Sequence, residues 1–395
     1  MIVGGGPAGM MAGYLLARAG VEVVVLEKHA DFFRDFRGDT IHPSTLEVMH
    51  ELGLLEEFLK LPHQELREIR GIFNGHPVPM ADFSRLPTHC KFIAFMPQWD
   101  FLNFLAAQAK QFPTFALHLQ HEVVDLLFEK DRVVGVRAKT PEGEREFYAD
   151  LVIGADGRHA VTHERANLEL RDFGAPIDVL WMRLSKRADD PAQSLGFFRH
   201  GKLLVLLDRG DYFQVGFVIP KGGFDEIKKR GLPALHSDIV EIAAFLKDRI
   251  AELDDWEKIK LLTVQINRLK KWCRDGLLCI GDNAHAMSPA GGVGINLALQ
   301  DAVATANLLA VKLKRGSVSV SDLEQVQKRR EFPVKFIQAL QVQIHKRING
   351  RTSGTGDQLP LLPRLFLWFP FLRALPARMI GLGPRPEHIQ SPAMR

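Results

Sequence analysis

The first 27 residues leave this chain little freedom. Met1-Ile2-Val3 reads as the end of a strand, Gly4-Gly5-Gly6-Pro7-Ala8-Gly9 as a tight loop, and Met10 to Ala19 as a helix of small, apolar residues. Val21 to Leu26 reads as a buried strand, with Glu27 at its carboxyl end. Gly4, Gly6 and Gly9 hold the spaced positions of G-x-G-x-x-G. Such glycines permit a sharp turn and close approach of a pyrophosphate, and an acid at the next strand end can hold a ribose. That order of elements predicts a βαβ unit in a parallel sheet. The first strand is short: either the chain begins late, or the sheet tolerates a stub.

A second constraint lies at Gly281 to Asp301, GDNAHAMSPAGGVGINLALQD. A strand-like run, Leu277 to Ile280, leads in, and a helix pattern, Leu297 to Lys314, leads out. The loop carries Asp282, His285, Pro289, Gly291, Gly292 and Gly294. Helix N-termini present unpaired N–H groups and partial positive charge, so the loop suits an anion. A third motif, Gly154-Ala155-Asp156-Gly157-Arg158, ends the apolar run Leu151-Val152-Ile153 and precedes a basic, histidine-bearing helix.

Between these motifs the sequence alternates between two textures. Ser44 reads as the N-cap of a helix from Thr45 to Leu52, and Gln98 to Lys110 is helical. Residues 66–96 read as short strands of another sheet. Leu117 to Leu119, Val123 to Phe128, Val133 to Ala138 and Arg145 to Ala149 read as a meander. Val179 to Leu184, Gln193 to Arg199, Leu203 to Asp208 and Tyr212 to Ile219 form an antiparallel pattern. It carries Trp181, Arg183, Phe197, Phe213, Gln214 and Phe217, which serve as core or as a pocket wall. Asp238 to Leu253 is expected to be an amphipathic helix, Thr263 to Ile266 a strand, and Gln325 to Lys346 a helix bent or restarted at Pro333.

Composition excludes several classes. With 51 Lys and Arg against 47 Asp and Glu, the net charge of +4 is too even to argue for nucleic acid. Residues 312–395 are the exception, with 15 basic against 5 acidic side chains. Three cysteines, Cys90, Cys273 and Cys279, form no CxxC pair; a reducing cytoplasm is the expected compartment. No uninterrupted apolar run reaches the ~18 residues of a membrane span, and no signal peptide is visible. His285 and Asp282 lack partner His or Cys residues at ligand spacing, so no metal is expected. Near the C-terminus, prolines 363, 370 and 376 break an apolar, arginine-bearing stretch into short amphipathic pieces. Residues 359–382 either cover a domain junction or dimer surface, or make peripheral membrane contact.

The joint occurrence of GGGPAG with Glu27, GADGR at 154–158 and GDNAH…P…GGVG…N at 281–296 resembles the FAD-dependent aromatic hydroxylases, the single-component flavoprotein monooxygenases of the para-hydroxybenzoate hydroxylase type. The resemblance covers roughly residues 1–345. It implies an α/β fold: a Rossmann-like FAD-binding domain with a parallel sheet, helices and a small β-meander, interleaved with an antiparallel-sheet substrate domain and followed by a helical C-terminal segment. Residues 1–70, 91–170 and 262–345 would form the discontinuous FAD-binding domain, 71–90 and 171–261 the substrate-binding β-sheet domain, and 346–395 a linker and amphipathic helical segment.

The resemblance also assigns roles. Gly4, Gly6, Pro7, Ala8 and Gly9 would pass the FAD pyrophosphate, and Glu27 with Lys28 would hold the adenosine end. Arg37 and Gln98 would lie near the flavin and its phosphates. Asp156 and Gly157 match a motif linked to FAD and pyridine nucleotide. Asp282 would bind the ribityl or pyrophosphate part, Pro289 would lie beside the ring, and Gly291 to Gly294, with Ile295 and Asn296, would face the N1/O2 edge. In the second motif Ala160 and His163 replace the usual serine and arginine, so pyridine-nucleotide docking has lost a guanidinium. Pro289, His42, Arg183 and Gln214 are the candidates for catalysis. The implied reaction takes electrons from NADPH or NADH, adds O₂ at the flavin C4a, and hydroxylates a small aromatic or related ring through the hydroperoxide. A monomer or homodimer is expected. The alternatives are a flavin-linked reductase or dehydrogenase of an isoprenoid or quinone, and a non-catalytic FAD-binding sensor. The absence of a Trp-x-Trp pair weighs against a halogenase.

Overall fold

The computed structural model describes residues 1–33, 40–191, 195–316, 318–350 and 361–394. Six strands form one sheet in the order Cys273–Arg274, Leu277–Cys279, Val152–Gly154, Ile2–Val3, Val23–Glu27 and Phe115–Leu119. All pairings are parallel except that of the Cys273–Arg274 edge. Side chains alternate across this sheet with period two. Ile2, Val25, Ile153 and Leu278 enter a core with the helices Pro7–Arg18, Gln98–Ala109 and Gly294–Lys314. Val3, Leu26, Val152, Leu277 and Cys279 enter a second core under the meander Glu122–Glu129, Arg132–Thr140, Gly143–Tyr148. The sheet is buried on both faces, which explains its nearly continuous apolar strands.

Lys260–Leu262, Ile177–Ser185, Tyr212–Pro220, Lys202–Asp208, Leu195–Arg199, Glu68–Phe73 and His76–Asp82 form a seven-stranded sheet in that order. It is antiparallel except where Leu195–Arg199 runs parallel to Glu68–Phe73. One face packs Leu180, Met182, Phe197, Phe213 and Phe217 against the Leu232–Ile242 helix. These three phenylalanines are therefore core. On the opposite face Val179 and Trp181 pack with Val264, Ile266 and Val342.

Several local expectations change. Leu117 to Leu119 belong to the parallel sheet, not the meander, because Phe115–Leu119 pairs with Val23–Glu27. Pro43 takes the first helical position and His42 the N-cap of Pro43–Glu51, so Ser44 lies inside the helix. Gly294 and Val320, not Leu297 and Gln325, begin the two long helices, and the second runs through Pro333. The expected Asp238–Leu253 helix instead spans Leu232–Ile242. Leu232 starts it after the Gly231 N-cap with Pro233 in its first turn, and Ala243 leaves helical geometry. Thr263 to Ile266 is not a strand; Val264 N–H donates to the Asp178 carboxylate instead of to a neighbouring strand. The segment Ala290–Lys314 is long and apolar enough to cross a bilayer by composition, yet 78% of its apolar window is buried as the core helix.

One ionic cluster ties the long helices together. Asp301 is fully buried. Its carboxylate accepts from Gly281 N at 3.1 Å and Arg330 Nε at 3.0 Å, and meets His285 Nε2 at 2.6 Å. Arg330, also fully buried, donates to Glu387 and to the Arg385 carbonyl, fastening the C-terminal tail. Burial alone would raise the Asp301 pKa, but His285 and Arg330 outweigh it and hold the carboxyl below its ordinary value. Arg330→Ala would remove the buried guanidinium that Asp301 and Glu387 share, leaving Asp301 to His285 and Gly281 and Glu387 to Arg329, and is expected to cost about 3–5 kcal/mol, measured as a lowered urea midpoint. Arg330→Lys should recover part of the loss.

Candidate functional site

Four neighbouring parallel strands deliver the motifs to one end of the sheet. Ile2–Val3 ends at the Gly4–Gly9 loop, Val152–Gly154 at Ala155–Arg158, and Leu277–Cys279 near Gly281. Val23–Glu27 ends at Glu27 itself. The carboxyl ends of parallel strands are where open α/β sheets bind ligands.

The loops touch. Gly4 has φ +103°, and a Cβ there would lie 2.4 Å from the Ala155 carbonyl oxygen. A Cβ on Gly9 would lie 1.9 Å from the Gly4 carbonyl oxygen, and one on Gly281 would lie 3.1 Å from Ala8 Cβ. Gly6 is different: among the described residues nothing lies within 4 Å of its Cβ position. It is the N-cap of Pro7–Arg18, Pro7 opens that helix, and no side chain caps it. Open space before an uncapped helix N-terminus fits an anion. Glu27 is buried; its carboxylate accepts from Gly5 N at 2.8 Å and His29 N at 3.1 Å, which fixes its orientation. Lys28 is exposed beside it, and Gln98 is half-buried at the start of Gln98–Ala109. Arg37 lies outside the described residues.

The second and third motifs are bonded together. The Asp156 carboxylate accepts from Thr162 N, Thr162 Oγ1 and Asn283 Nδ2, the last at 2.6 Å. Burial nevertheless raises its pKa. His163 Nδ1 meets Asn283 Oδ1 at 2.9 Å, and Arg158 Nε donates to Asp282 at 3.0 Å. His163, in place of the usual arginine, thus braces the GDNAH turn, and Ala160 is the uncapped N-cap of Val161–Arg165. Gly157 has φ +85°, with open space at its Cβ position.

Pro289 leads into a short turn, Ala290–Gly292, in which Gly291 and Gly292 both have positive φ. A Cβ on Gly292 would lie 2.3 Å from Thr40 Oγ1. No side chain caps the Gly294–Lys314 helix that follows, and the Cβ position of Gly294 lies 4.0 Å from Asp282 Oδ1. Asn296 does not face open space. Its Oδ1 accepts from His42 N at 3.0 Å and Thr45 Oγ1 at 2.6 Å, and its Nδ2 donates to the Thr40 and Gly292 carbonyls. It clamps the loop to residues 40–45. Ile295 packs against the core. From behind, Gln341 bonds Ser288 and Ala290, and His345 Nε2 meets Ser288 Oγ at 2.9 Å. Sequence reasoning missed Asn283, Asp301, Arg330, Gln341 and His345. Asn283 and Asp301 both lie in the third motif and offered a signal; Arg330, Gln341 and His345 sit in ordinary polar positions of a helix.

The candidate side chains separate into two groups. His42 is fully buried. The Ile380 carbonyl, 2.7 Å from Nδ1, accepts from it, so Nδ1 carries the proton and Nε2 keeps a lone pair that has no partner among the described residues. Gln214 is buried, and Arg209 donates two bonds to its Oε1. Arg209 also lies over the Phe95 ring at 6.0 Å, and Phe95 pairs with Thr40, whose hydroxyl donates to Gly292. A chain of contacts therefore links Gln214 and His42 to the Pro289–Gly292 loop. Arg183 is apart from it. Though opposite Gln214 in the ladder, it stacks on Tyr212 at 3.7 Å and pairs with Asp211, exposed in an open groove with Glu252 and Lys260.

With that geometry in view, the comparisons with known proteins are consistent. The profile of the FAD binding domain family matches residues 1–339. The chain is similar to 6-methylpretetramide 4-monooxygenase of Streptomyces rimosus, at 32% identity over 337 residues, 83% of this chain and 79% of that protein. Its fold matches p-nitrophenol 4-monooxygenase PnpA of Pseudomonas putida DLL-E4 with a TM-score of 0.79 at 19% identity, covering 97% of this chain and 98% of that one. It also matches the anhydrotetracycline hydroxylase OxyS of Streptomyces rimosus, with a TM-score of 0.75 at 23% identity, covering 96% and 75%.

Two outcomes follow from these contacts. Gly9→Ala should lose FAD during gel filtration, because its methyl group collides with the Gly4 carbonyl. Gly6→Ala should keep FAD, whereas Gly6→Glu should lose it by placing a carboxylate in the anion space. Burial lowers the His42 pKa to about 4, against ~6.5 in the unfolded chain. The unfolded state therefore binds the extra proton first. The stability from neutral His42 is complete above pH ~6.5 and is lost as pH falls toward 4, by about 3 kcal/mol. Denaturant midpoints across that range should fall less steeply for His42→Gln than for the wild type.

Proposed function

Because this chain belongs to the FAD-dependent aromatic hydroxylase family, we propose that it is a monooxygenase that takes electrons from NADH or NADPH and hydroxylates an aromatic or related ring with O₂. The observation that carries this reading is the Pro289–Gly294 turn. Two left-handed glycines aim it at the uncapped N-terminus of a 21-residue helix, beside the other motif loops.

The bound flavin supplies the redox and oxygen chemistry. The chain binds and orients it. The Gly4–Gly9 loop and the helix behind it receive the pyrophosphate, and Glu27, already fixed by Gly5 and His29, receives the adenosine ribose. Asp282, neutralised by Arg158, takes the ribityl or pyrophosphate side. Backbone N–H groups of residues 291–294 and the helix dipole favour negative charge on the reduced ring with little reorganisation. His42 stays neutral and, by donating its backbone N–H to Asn296, holds residues 40–45 against the loop. Gln214, held by Arg209, offers an amide from the sheet side. Among the relatives, one protein's name specifies 6-methylpretetramide and one p-nitrophenol; a phenolic ring is the substrate class we infer.

The test is a screen of phenols, indoles and quinones with the purified, FAD-loaded protein. A monooxygenase should show ligand-stimulated NAD(P)H oxidation, matching O₂ uptake and an oxygenated product. Turnover without O₂ would replace this reading with a reductase, and ligand binding without turnover would replace it with a sensor.

A further inference from the structure

The C-terminal segment has two unlike faces. Leu361–Trp368, Pro370–Arg373 and Ala374–Gly381 are short helical pieces. Their inner side is anchored: Ala377, Ile380 and Leu382 join Phe83, Leu86 and Phe95 in a core cluster. The tail beyond is fastened by Glu387 to Arg329 and Arg330, and by His388 and Ile389 to Glu51. The outer side is apolar. Leu361, Trp368, Phe369, Phe371 and Leu375 are 69%, 65%, 45%, 60% and 63% exposed. Five large apolar side chains exposed between Leu361 and Leu375 exceed the scattered exposure ordinary for a protein surface.

We propose that this strip docks on an anionic lipid surface. The charge pattern selects that partner: residues 358–386 contain Arg364, Arg373, Arg378 and Arg385 and no aspartate or glutamate. Apolar and aromatic side chains flanked by arginine fit the boundary between headgroups and acyl chains. A second copy of the same strip would set arginine against arginine, because residues 358–386 carry no acid of their own. The pieces are also too short to span a bilayer, since Leu361–Trp368 and Ala374–Gly381 have 8 residues each. This segment therefore lies on the surface and does not cross it.

The full FAD-loaded chain is sedimented with phosphatidylcholine vesicles, with or without phosphatidylglycerol, at low and high salt. We expect binding to the anionic vesicles at least tenfold stronger than to neutral ones, and weaker at high salt. Trp368→Ser with Phe371→Ser and Leu375→Ser should cut that binding at least tenfold while FAD content and NAD(P)H oxidation stay at wild-type levels. Arg378→Gln should lower binding to anionic vesicles alone. Wild-type protein that stays in the supernatant with anionic vesicles would overturn the proposal, whatever the variants do. A dimer in gel filtration that the serine variant abolishes, without vesicle binding, would assign the strip to a second copy instead.

Discussion

A single buried carboxylate holds the site to the rest of the molecule. Asp301 takes Gly281 N–H, His285 and Arg330 within about one hydrogen-bond length, all away from water. A lone buried ion would be expensive, so each partner is needed to keep the others in place. The consequence is reach. Through Gly281 and His285 the carboxylate fixes the turn that begins the third motif. Through Arg330 it fixes Glu387 and the C-terminal tail. Three segments far apart in sequence thus share one electrostatic centre beneath the candidate cofactor space.

Above that centre the geometry depends on backbone packing against backbone. Gly4 lies against Ala155, Gly9 against Gly4, Gly281 against Ala8, and Gly292 against Thr40. The two helices that begin at this junction carry no side-chain caps. Their N–H groups and dipoles converge on one region instead of being satisfied locally. Most nearby acids are already engaged: Asp156 by Thr162 and Asn283, and Asp282 by Arg158. The converging helix N-termini are what favour an incoming anion.

The sequence was most readable where local geometry and function coincide. A glycine that must take positive φ, or that must let a backbone pass, leaves a mark at a fixed spacing, and all three motifs were found that way. It was least readable where a long-range partner decided the outcome. Val264 gives its N–H to Asp178, so an apparent strand is not one. Leu117 looked like part of a meander until Phe115–Leu119 paired with Val23–Glu27. Arg183 and Gln214 looked alike as polar residues on an aromatic-rich sheet; Arg209 buries one and Tyr212 holds the other outside.

The sequence by itself determined the α/β class, the three glycine–acid motifs and the flavin family, because each rests on short-range backbone chemistry written in glycines, prolines and strand-end acids. Only the tertiary structure decided that Asn296 clamps the loop, that His42 is neutral and donates from Nδ1, and that Arg330 joins Asp301 to the C-terminal tail. Those roles depend on burial and on partners 29 to 338 residues away along the chain, distances that no local pattern encodes.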